Sequence, residues 1–382
     1  MKTQTFPFHF GTVVSGDFFY DRAAESRALH DEIVGGQNVV LYAPRRYGKT
    51  SLAMRVAEEW KRDGFICIYF DLMRVDSLDD FLREYADAAL AAEGRTERGF
   101  RAVLSALASL RPKLSLGEDG KPVLELDFGP RGVSAKSLAE VLDLPERLSS
   151  EDRRIVVLFD EFQEIAVLSR HVPAERIFRS VIQHQKRTRY VFLGSKTHLL
   201  RRMFDDRAKP FYRSATPIVL GRPPMEESRA FLADRFRSVG MKLPDAVADA
   251  ILSTSDNIPY YLQAVALRTW MAASRRGIPA PGKEDVETAL DELVGLHRAT
   301  YEATASALSE TQRRLLSAIA RDPVARFDAD WRARHFLPGT TTLGSAATKL
   351  LDAGLIERGD SGWLIADPIH ARYLCENAVR SL

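Results

Sequence analysis

The chain has 382 residues, which is enough for two or three domains of about 100–200 residues each. Hydrophobic residues make up 45% of it, charged residues 28%, and the net charge is only +2, so the composition indicates a globular protein without an overall polyanion-binding signature. No apolar run approaches the ~20 residues that span a bilayer, and the first residues lack the pattern of a secretory signal. The two cysteines match no metal or redox spacing. We therefore expect a cytoplasmic protein that does not bind membranes.

Residues 1–224 alternate short apolar runs with helix-like segments. The run at residues 38–42 is apolar and β-branched, which predicts a buried parallel strand. Further strands are predicted at residues 65–72, 154–159, 190–194 and 217–220. Residues 111–130 alternate apolar and polar side chains around Asp119-Gly120, which is typical of an inserted hairpin. Strands that alternate with helices predict an α/β domain with a parallel sheet and right-handed crossovers.

The pattern from residue 225 onward is helical. Helices are predicted at residues 226–238, 245–253, 259–274 and 284–308, so residues 225–308 are interpreted as a helical lid domain. In residues 309–382, two helices near residues 311–320 and 343–353 precede two short strands within residues 355–366. Helices followed by a β-hairpin predict a winged helix-turn-helix domain at the end of the chain.

A phosphate-binding loop is the strongest motif in the sequence. Residues 43–50 read APRRYGKT and match the P-loop pattern between a strand and a helix, with Ala43 in place of the first glycine. Backbone N–H groups at such a helix N-terminus face the β- and γ-phosphates of a nucleotide. Gly48 permits close approach of the backbone, Lys49 supplies a charge to those phosphates, and the Thr50 hydroxyl binds Mg²⁺. The predicted nucleotide-binding residues of this loop are Pro44, Arg45, Arg46, Tyr47, Gly48, Lys49, Thr50 and Ser51.

Two acidic residues end the strand at residues 154–159. In open parallel sheets, ligands bind beyond the carboxyl ends of the strands. Asp160 is therefore predicted to bind Mg²⁺, and Glu161 to orient or activate the attacking water. A pair of helix-capping acids is the alternative, which the phosphate loop disfavours. Glu164 is expected to face solvent on the next helix turn.

The next strand also ends in polar residues. Ser195, or less directly Thr197, is a candidate to contact the attacking water or the γ-phosphate, while a simple turn remains open. Arg213 is a candidate arginine finger for a neighbouring nucleotide, with Arg207 as its rival. For either arginine, a surface salt bridge is an equally open interpretation.

Together these motifs resemble the archaeal-type ATPase branch of the STAND/AAA+ P-loop NTPases. The Arg-Arg before Gly-Lys-Thr and the Asp-Pro near the end of the chain select this branch. The residues that carry the resemblance lie at positions 19–22 and 25, 44–51, 159–163, 194–195, 257–262, 354–356 and 366–368.

The resemblance implies an ATP- and Mg²⁺-dependent ATPase with sheet order 5-1-4-3-2, a helical lid and a C-terminal winged helix. It also implies that Tyr20 and Arg22 lie near the adenine and that Pro259 begins a lid helix facing the nucleotide. The chain departs from the family at Ala43 and at Tyr20, where a glycine is common. Many relatives carry a further C-terminal domain, and because this sequence ends at the wing, we expect its effector to be another protein.

The charge distribution leaves the partner open. Residues 169–213 hold twelve Lys and Arg residues against three acids, which is interpreted as a polyphosphate-binding face, a subunit interface or a solvated face. We favour the interface. The winged helix domain holds ten basic and nine acidic residues. Its candidate recognition helix has one basic residue, Lys349, and one acidic residue, Asp352. Reading a DNA groove usually needs several Arg, Asn or Gln side chains, so we favour a winged helix that reports nucleotide state.

Two classes of function follow. The first is a molecular switch that binds and hydrolyses ATP and acts through a protein partner or a homo-oligomer. The second is a nucleic-acid loader or helper ATPase that uses residues 169–213 and the winged helix to bind DNA. A metabolic kinase is disfavoured, because no site for an acceptor substrate is apparent in the sequence.

Overall fold

The computed structural model describes residues 6–92, 97–110, 112–116, 122–126, 133–168, 172–359 and 362–379. The described residues form two compact units. One is Arg22–Gly221, and the other combines Met1–Asp21 with Arg222–Leu382. Among the described helices, none is both long and apolar enough to cross a membrane.

The first unit, as far as the structure describes it, contains seven strands and nine α-helices. Its strands are β1 (Val39–Tyr42), β2 (Ile66–Asp71), β3 (Lys113–Leu116), β4 (Pro122–Glu125), β5 (Ile155–Asp160), β6 (Thr188–Gly194) and β7 (Thr216–Val219). Its helices are α1 (Ala23–Val34), α2 (Lys49–Arg62), α3 (Leu78–Ala92), α4 (Glu97–Ala106), α5 (Ala135–Leu142), α6 (Leu144–Leu148), α7 (Ile165–Leu168), α8 (Ala174–Ile182) and α9 (Thr197–Asp205).

The second unit is mainly helical. Its helices are α10 (Met225–Ser238), α11 (Asp245–Thr254), α12 (Pro259–Arg275), α13 (Lys283–Ala307), α14 (Glu310–Arg321), α15 (Ala329–Arg334), α16 (Thr340–Asp352) and α17 (Pro368–Val379). Its two strands are β8 (Ile356–Gly359) and β9 (Gly362–Ile365).

A five-stranded parallel sheet organises the first unit. Its order is β2-β5-β6-β1-β7, which confirms the predicted order 5-1-4-3-2 when the five parallel strands are counted along the chain and the sheet is read from the other edge. Every residue of β1 and β5 is buried, as their continuous apolar runs predict. Because the strands are parallel, their carboxyl ends meet at one edge of the sheet, where Asp71 of β2 is paired with Asp160 of β5.

An aromatic cluster packs around strand β5, which leads to the acidic pair. The ring of Phe159 lies 5.9 Å from that of Tyr190 and 5.5 Å from that of Tyr85, both in stacked geometry. Phe162, just beyond the strand, lies 4.5 Å from Phe192. These side chains are fully buried, and buried aromatic rings dominate core energetics. Asp160 and Glu161 therefore sit between two anchored phenylalanines.

The predicted hairpin has the expected strands. Lys113–Leu116 and Pro122–Glu125 pair antiparallel as β3 and β4. The Asp119-Gly120 turn lies outside the described residues.

The residues that precede Arg22, described from residue 6 onward, belong to the second unit. The ring of Tyr20 stacks on Phe231 of α10 at 4.1 Å. Gln263 of α12 accepts a hydrogen bond from the backbone N–H of His9 and donates one to the carbonyl of Phe18. The segment is therefore fixed to helices α10 and α12.

The winged helix has its own core. Side chains of α14, α15, α16, β8 and β9 form one buried apolar cluster. α15 and α17 were not predicted, and α17 packs on α13 through the ring of His370, which stacks on Tyr301 at 4.4 Å. Gly362 opens β9 with a φ of 128°, and a Cβ there would lie 2.3 Å from the carbonyl oxygen of Val324. The neighbouring positions 360 and 361 lie outside the described residues.

We expect Gly362→Ala to destabilise the protein by roughly 1–3 kcal/mol, since the substitution adds both a backbone conformation that L residues avoid and a clash with backbone. Chemical denaturation measures this. Gly344→Ala is the matched control: a Cβ at Gly344 in α16 meets nothing within 4 Å, so it should be neutral or should stabilise by up to ~1 kcal/mol. Equal effects of the two substitutions would contradict the argument.

Candidate functional site

The loop between β1 and α2 has the geometry of an anion cradle. Gly48 caps α2 with φ 85° and ψ 20°, a left-handed conformation that favours glycine. Arg46 is left-handed as well, with φ 73°. Ala43 is fully buried and does not have a positive φ, so an alanine fits there without backbone strain. The N–H groups of the first turn of α2 are thereby presented by a loop of defined shape.

Thr50 and Asp160 lie side by side. The Thr50 hydroxyl donates to Asp160 Oδ2 at 2.7 Å, and the Tyr69 hydroxyl donates to the same oxygen at 3.0 Å. Lys49 Nζ lies 3.6 Å from Asp160 Oδ1. Hydroxyl and carboxylate oxygens are the ligands that Mg²⁺ prefers, so the donor set fits the predicted metal.

Glu161 is the most heavily bonded carboxylate of this site. Lys49 Nζ donates to Glu161 Oε1 at 2.8 Å. The other oxygen, Oε2, accepts from the backbone N–H of Ser195 at 3.0 Å, from the Ser195 hydroxyl at 2.8 Å and from Gln163 Nε2 at 2.7 Å. Burial raises the pKa of the Glu161 carboxyl, but the Lys49 charge and these donors outweigh it and lower the pKa to about 2. Glu161 is therefore ionised, with both of its oxygens engaged.

The backbone of Glu161 is unusual too. Its φ of 50° and ψ of 44° are left-handed, and the residue is not a glycine. Such a conformation costs about 1–3 kcal/mol and persists where the surroundings enforce it. Here the anchored neighbours Phe159 and Phe162 and the Lys49 ion pair supply that constraint.

The polar residues that follow β6 have different surroundings. Ser195 donates to Glu161, and the Thr197 hydroxyl oxygen is buried without a hydrogen-bond partner at the start of α9. The expectation that Glu164 faces solvent is wrong: its side chain is 22% exposed and accepts from Lys196 Nζ at 3.1 Å. Two hydrogen bonds, from Ser195 to Glu161 and from Lys196 to Glu164, thus connect the acidic motif to the residues that follow β6.

Arg22 holds the phosphate loop through a backbone carbonyl. Its guanidinium is buried and donates to the carbonyls of Gly221 at 2.7 Å and Tyr47 at 3.4 Å, and to Glu25 Oε1 at 3.0 Å. These bonds connect the phosphate loop to the segment that follows β7.

The remaining predicted residues are placed as follows. Tyr20 and Pro259 lie in the second unit, where Tyr20 stacks on Phe231 and Pro259 is the first residue of α12. Arg213 has φ 50° and lies over the ring of Tyr212 at 5.2 Å. Arg213 and Arg207 are both exposed, as an arginine offered to a neighbouring subunit would be.

Sequence reasoning missed three contributors. Tyr69 and Asp71 end β2, the strand beside β5, and Gln163 follows the acidic pair. Burial, together with the charges of Asp160 and Glu161, raises the pKa of Asp71, so its carboxyl belongs to the same electrostatic cluster. The sequence could have indicated Tyr69 and Asp71, because they are polar residues near the end of the apolar run 65–72 and the predicted strand order places that run next to the strand of Asp160.

The basic residues within the range 169–213 do not all lie near this site. Lys186 and Arg187 precede β6, so they lie at the amino ends of the strands, opposite the phosphate loop. The backbone N–H groups of Lys186, Arg187 and Thr188 all donate to the carboxylate of Glu146. The described residues of the range 169–213 therefore do not form one continuous face, because those that precede β6 lie at the edge of the sheet opposite the phosphate loop. Ser169 and Arg170 lie outside the described residues.

Two family models match the chain. A family model described as an ATPase domain predominantly from Archaea matches residues 19–265, and a model of a probable winged helix domain matches residues 299–376. No match was found among curated proteins.

Solved structures share the fold across nearly the whole chain. The Walker-type ATPase PABY2304 of Pyrococcus abyssi is 20% identical with a TM-score of 0.66, covering 94% of this chain and 96% of that one. The ORC2 protein of Aeropyrum pernix, in ADPNP–ADP complexes, is 17% identical with a TM-score of 0.54 and 95% of both chains covered. The ORC1 protein of the same organism, in complex with DNA, is 15% identical with a TM-score of 0.50 and 96% of both chains covered.

We expect Lys49→Met to raise the pKa of Glu161 from about 2 toward or above its ordinary value, because burial remains while the compensating charge is lost. NMR titration of the Glu161 side-chain carboxyl in nucleotide-free protein measures this. Since the folded pKa is lowered, the pair stabilises the protein above the ordinary carboxyl pKa, and this contribution is lost as the pH falls toward 2.

Lys61→Met removes an exposed lysine from the same helix and serves as the control. An unchanged Glu161 titration in Lys49→Met would mean that the ion pair does not set the charge of this carboxylate.

Proposed function

The chain belongs to the family of ATPase domains found predominantly in Archaea, and we propose that it binds ATP–Mg²⁺ at the phosphate loop and hydrolyses ATP slowly as a molecular switch. The output of the switch passes through a partner protein or through further copies of the chain. The observation that supports this most is the buried cluster of Lys49, Thr50, Asp160 and Glu161 at the carboxyl ends of β1 and β5.

In this proposal, nucleotide binding is an exchange of charged partners. Lys49 leaves Glu161 to compensate the β- and γ-phosphates, and the N–H groups of the loop and of α2 receive the phosphate oxygens. Thr50 and Asp160 hold Mg²⁺, which neutralises charge on those oxygens when it is bound. The ion pair of Lys49 with Glu161 is therefore a contact that ATP must displace.

Hydrolysis then depends on Glu161. A general base works best when its pKa lies near the operating pH. With a pKa of about 2, the carboxylate paired with Lys49 is a poor proton acceptor. Transfer of Lys49 to the phosphates removes the main lowering influence, so the base becomes competent only when the loop is occupied. A low basal rate is expected because a neighbouring copy must supply the arginine.

The exposed arginines point to assembly. Arg213 or Arg207 completes the site of a neighbouring copy in the manner of an arginine finger, which raises phosphoryl-transfer rates strongly. Turnover that increases with protein concentration would support a homo-oligomeric switch, whereas turnover independent of concentration would favour a separate protein partner.

A nucleic-acid loader is the second candidate. The winged helix match and the fold shared with ORC1, whose structure is in complex with DNA, favour it. Against it, the described side chains of α16 include exposed Lys349 as the one basic residue, beside Asp352. Binding of duplex DNA that weakens with salt, with a slope of about 0.9 per lost phosphate contact, would favour the loader over the switch.

We expect Lys49→Ala to abolish tight ATP binding, because the substitution removes the charge that compensates the β- and γ-phosphates. Isothermal calorimetry with ATP and Mg²⁺ measures the affinity, and Lys61→Ala on the outer part of α2 should bind as wild type does. Wild-type affinity in a folded Lys49→Ala protein would refute the assignment of the phosphate loop.

We expect Glu161→Gln to retain ATP binding while turnover falls by roughly 10²–10⁴-fold, the usual loss when a general base is removed. Phosphate release under saturating ATP measures turnover. Unchanged turnover would remove Glu161 from the mechanism, and lost binding would show that its role is structural.

A further inference from the structure

We propose that Gln163 and Gly194 form a positioning pair that holds the Glu161 carboxylate for attack on ATP. The inference rests on the ATPase function proposed above. It assigns to Gln163 a role distinct from those of Lys49, Thr50 and Asp160, because Gln163 contacts the catalytic carboxylate rather than the phosphates or the metal.

The orientation of the Gln163 amide is set by its neighbours. Its nitrogen Nε2 lies 2.7 Å from Glu161 Oε2 and 3.4 Å from Glu164 Oε1. Both partners are carboxylate oxygens, which accept hydrogen bonds, so the NH₂ group faces them and the carbonyl oxygen faces away. A flipped amide would place its oxygen against two carboxylates. Gln163 is therefore a donor to the acidic motif.

The carbonyl oxygen of the same amide has an unusual environment. Gln163 is 3% exposed, and its Oε1 is buried without a hydrogen-bond partner. Leaving a buried acceptor unsatisfied is costly, so native proteins rarely retain one without a reason. The reason here is that the donor end is needed at Glu161.

Gly194 makes room for this amide. A Cβ at position 194 would lie 2.2 Å from Gln163 Oε1 and 3.2 Å from Leu200 Cδ2. Gly194 ends β6 and is paired with Tyr42 at the end of β1, so its position is fixed by the sheet. The absence of a side chain at Gly194 thus allows Gln163 to reach Glu161.

The two oxygens of Glu161 have separate roles in this arrangement. Oε1 faces Lys49, and Oε2 receives Ser195 and Gln163. When Lys49 moves to the phosphates, Oε1 is released to accept a proton from water, while Oε2 stays fixed by three donors. Gln163 contacts no reacting atom and acts through Glu161, which makes it a positioning residue.

The test compares Gln163→Leu with wild type. The substitution keeps similar volume and removes the donor, so we expect kcat to fall about 10–100-fold, as for the loss of one hydrogen bond to a charged group, with the ATP affinity changed less than about threefold. The acid limb of the kcat–pH profile should shift to higher pH, because a lost donor raises the pKa of Glu161. Gln183→Leu, an exposed glutamine after α8, should behave as wild type.

A double-mutant cycle tests Gly194. Gly194→Ala should lower kcat about as much as Gln163→Ala, because the new Cβ displaces the amide. In the Gln163→Ala background, Gly194→Ala should add less than about a twofold loss. Multiplicative losses would refute the role of Gly194 as space for this amide.

NMR titration separates failure of this inference from failure of the proposed function. In nucleotide-free Gln163→Leu, the midpoint of the Glu161 titration should rise, whether or not the protein hydrolyses ATP. An unchanged midpoint, or unchanged kcat and acid limb in an active enzyme, overturns the positioning role and leaves the ATPase assignment intact. Loss of ATP binding in Gln163→Leu would place the residue in binding and also overturns it.

Discussion

The ion pair between Lys49 and Glu161 is the interaction on which the site depends. The two residues are 112 positions apart, and both side chains are largely buried. Burying a charge without a partner is costly, so each of these charges requires the other while the loop holds no phosphate. Lys49 follows β1 and Glu161 follows β5, and β6 lies between these two strands, so the pair forms only when the three strands are assembled.

The aromatic core explains how such a pair is held in register. Phe159 and Phe162 flank the acidic residues and pack on rings from β6 and α3. A rigid support of this kind can sustain the left-handed backbone of Glu161, which would otherwise relax. The backbone strain therefore lies at Glu161, and the packing of the neighbouring aromatic rings offsets it.

The same contacts give the site two states. In this structure the charge of Lys49 lies against the Glu161 carboxylate and lowers its pKa. In the proposed function, ATP takes the lysine, and the carboxylate keeps the Ser195 and Gln163 donors that hold its orientation. The charge of Lys49 then serves both steps: it binds the phosphates, and its departure from Glu161 raises the pKa of the base. The base is therefore competent only when ATP is present. This coupling suits a switch better than a rapid metabolic enzyme.

Much of this was readable from the sequence. The phosphate loop and the acidic pair each follow an apolar run, and such local patterns identify a buried strand and its polar end without knowledge of the rest of the chain. The sheet order followed from the family resemblance that those motifs carry. The winged helix was recognised from its hairpin, whereas α15 was missed, since its six residues are too short for a helical period to be detected.

The tertiary structure decided which side chains meet. Tyr69, Asp71 and Gln163 join the site because β2 lies beside β5 in register and because Gly194 leaves space, and neither register nor space is encoded in a local pattern. Strand direction likewise divides the basic segment, since Lys186 and Lys196 lie at opposite ends of β6. The sequence by itself determined the type of fold and the phosphate-loop motif, and it predicted which residues bind phosphate and metal. The contacts that tune Glu161 arise from distant segments, so only the folded sheet could show them.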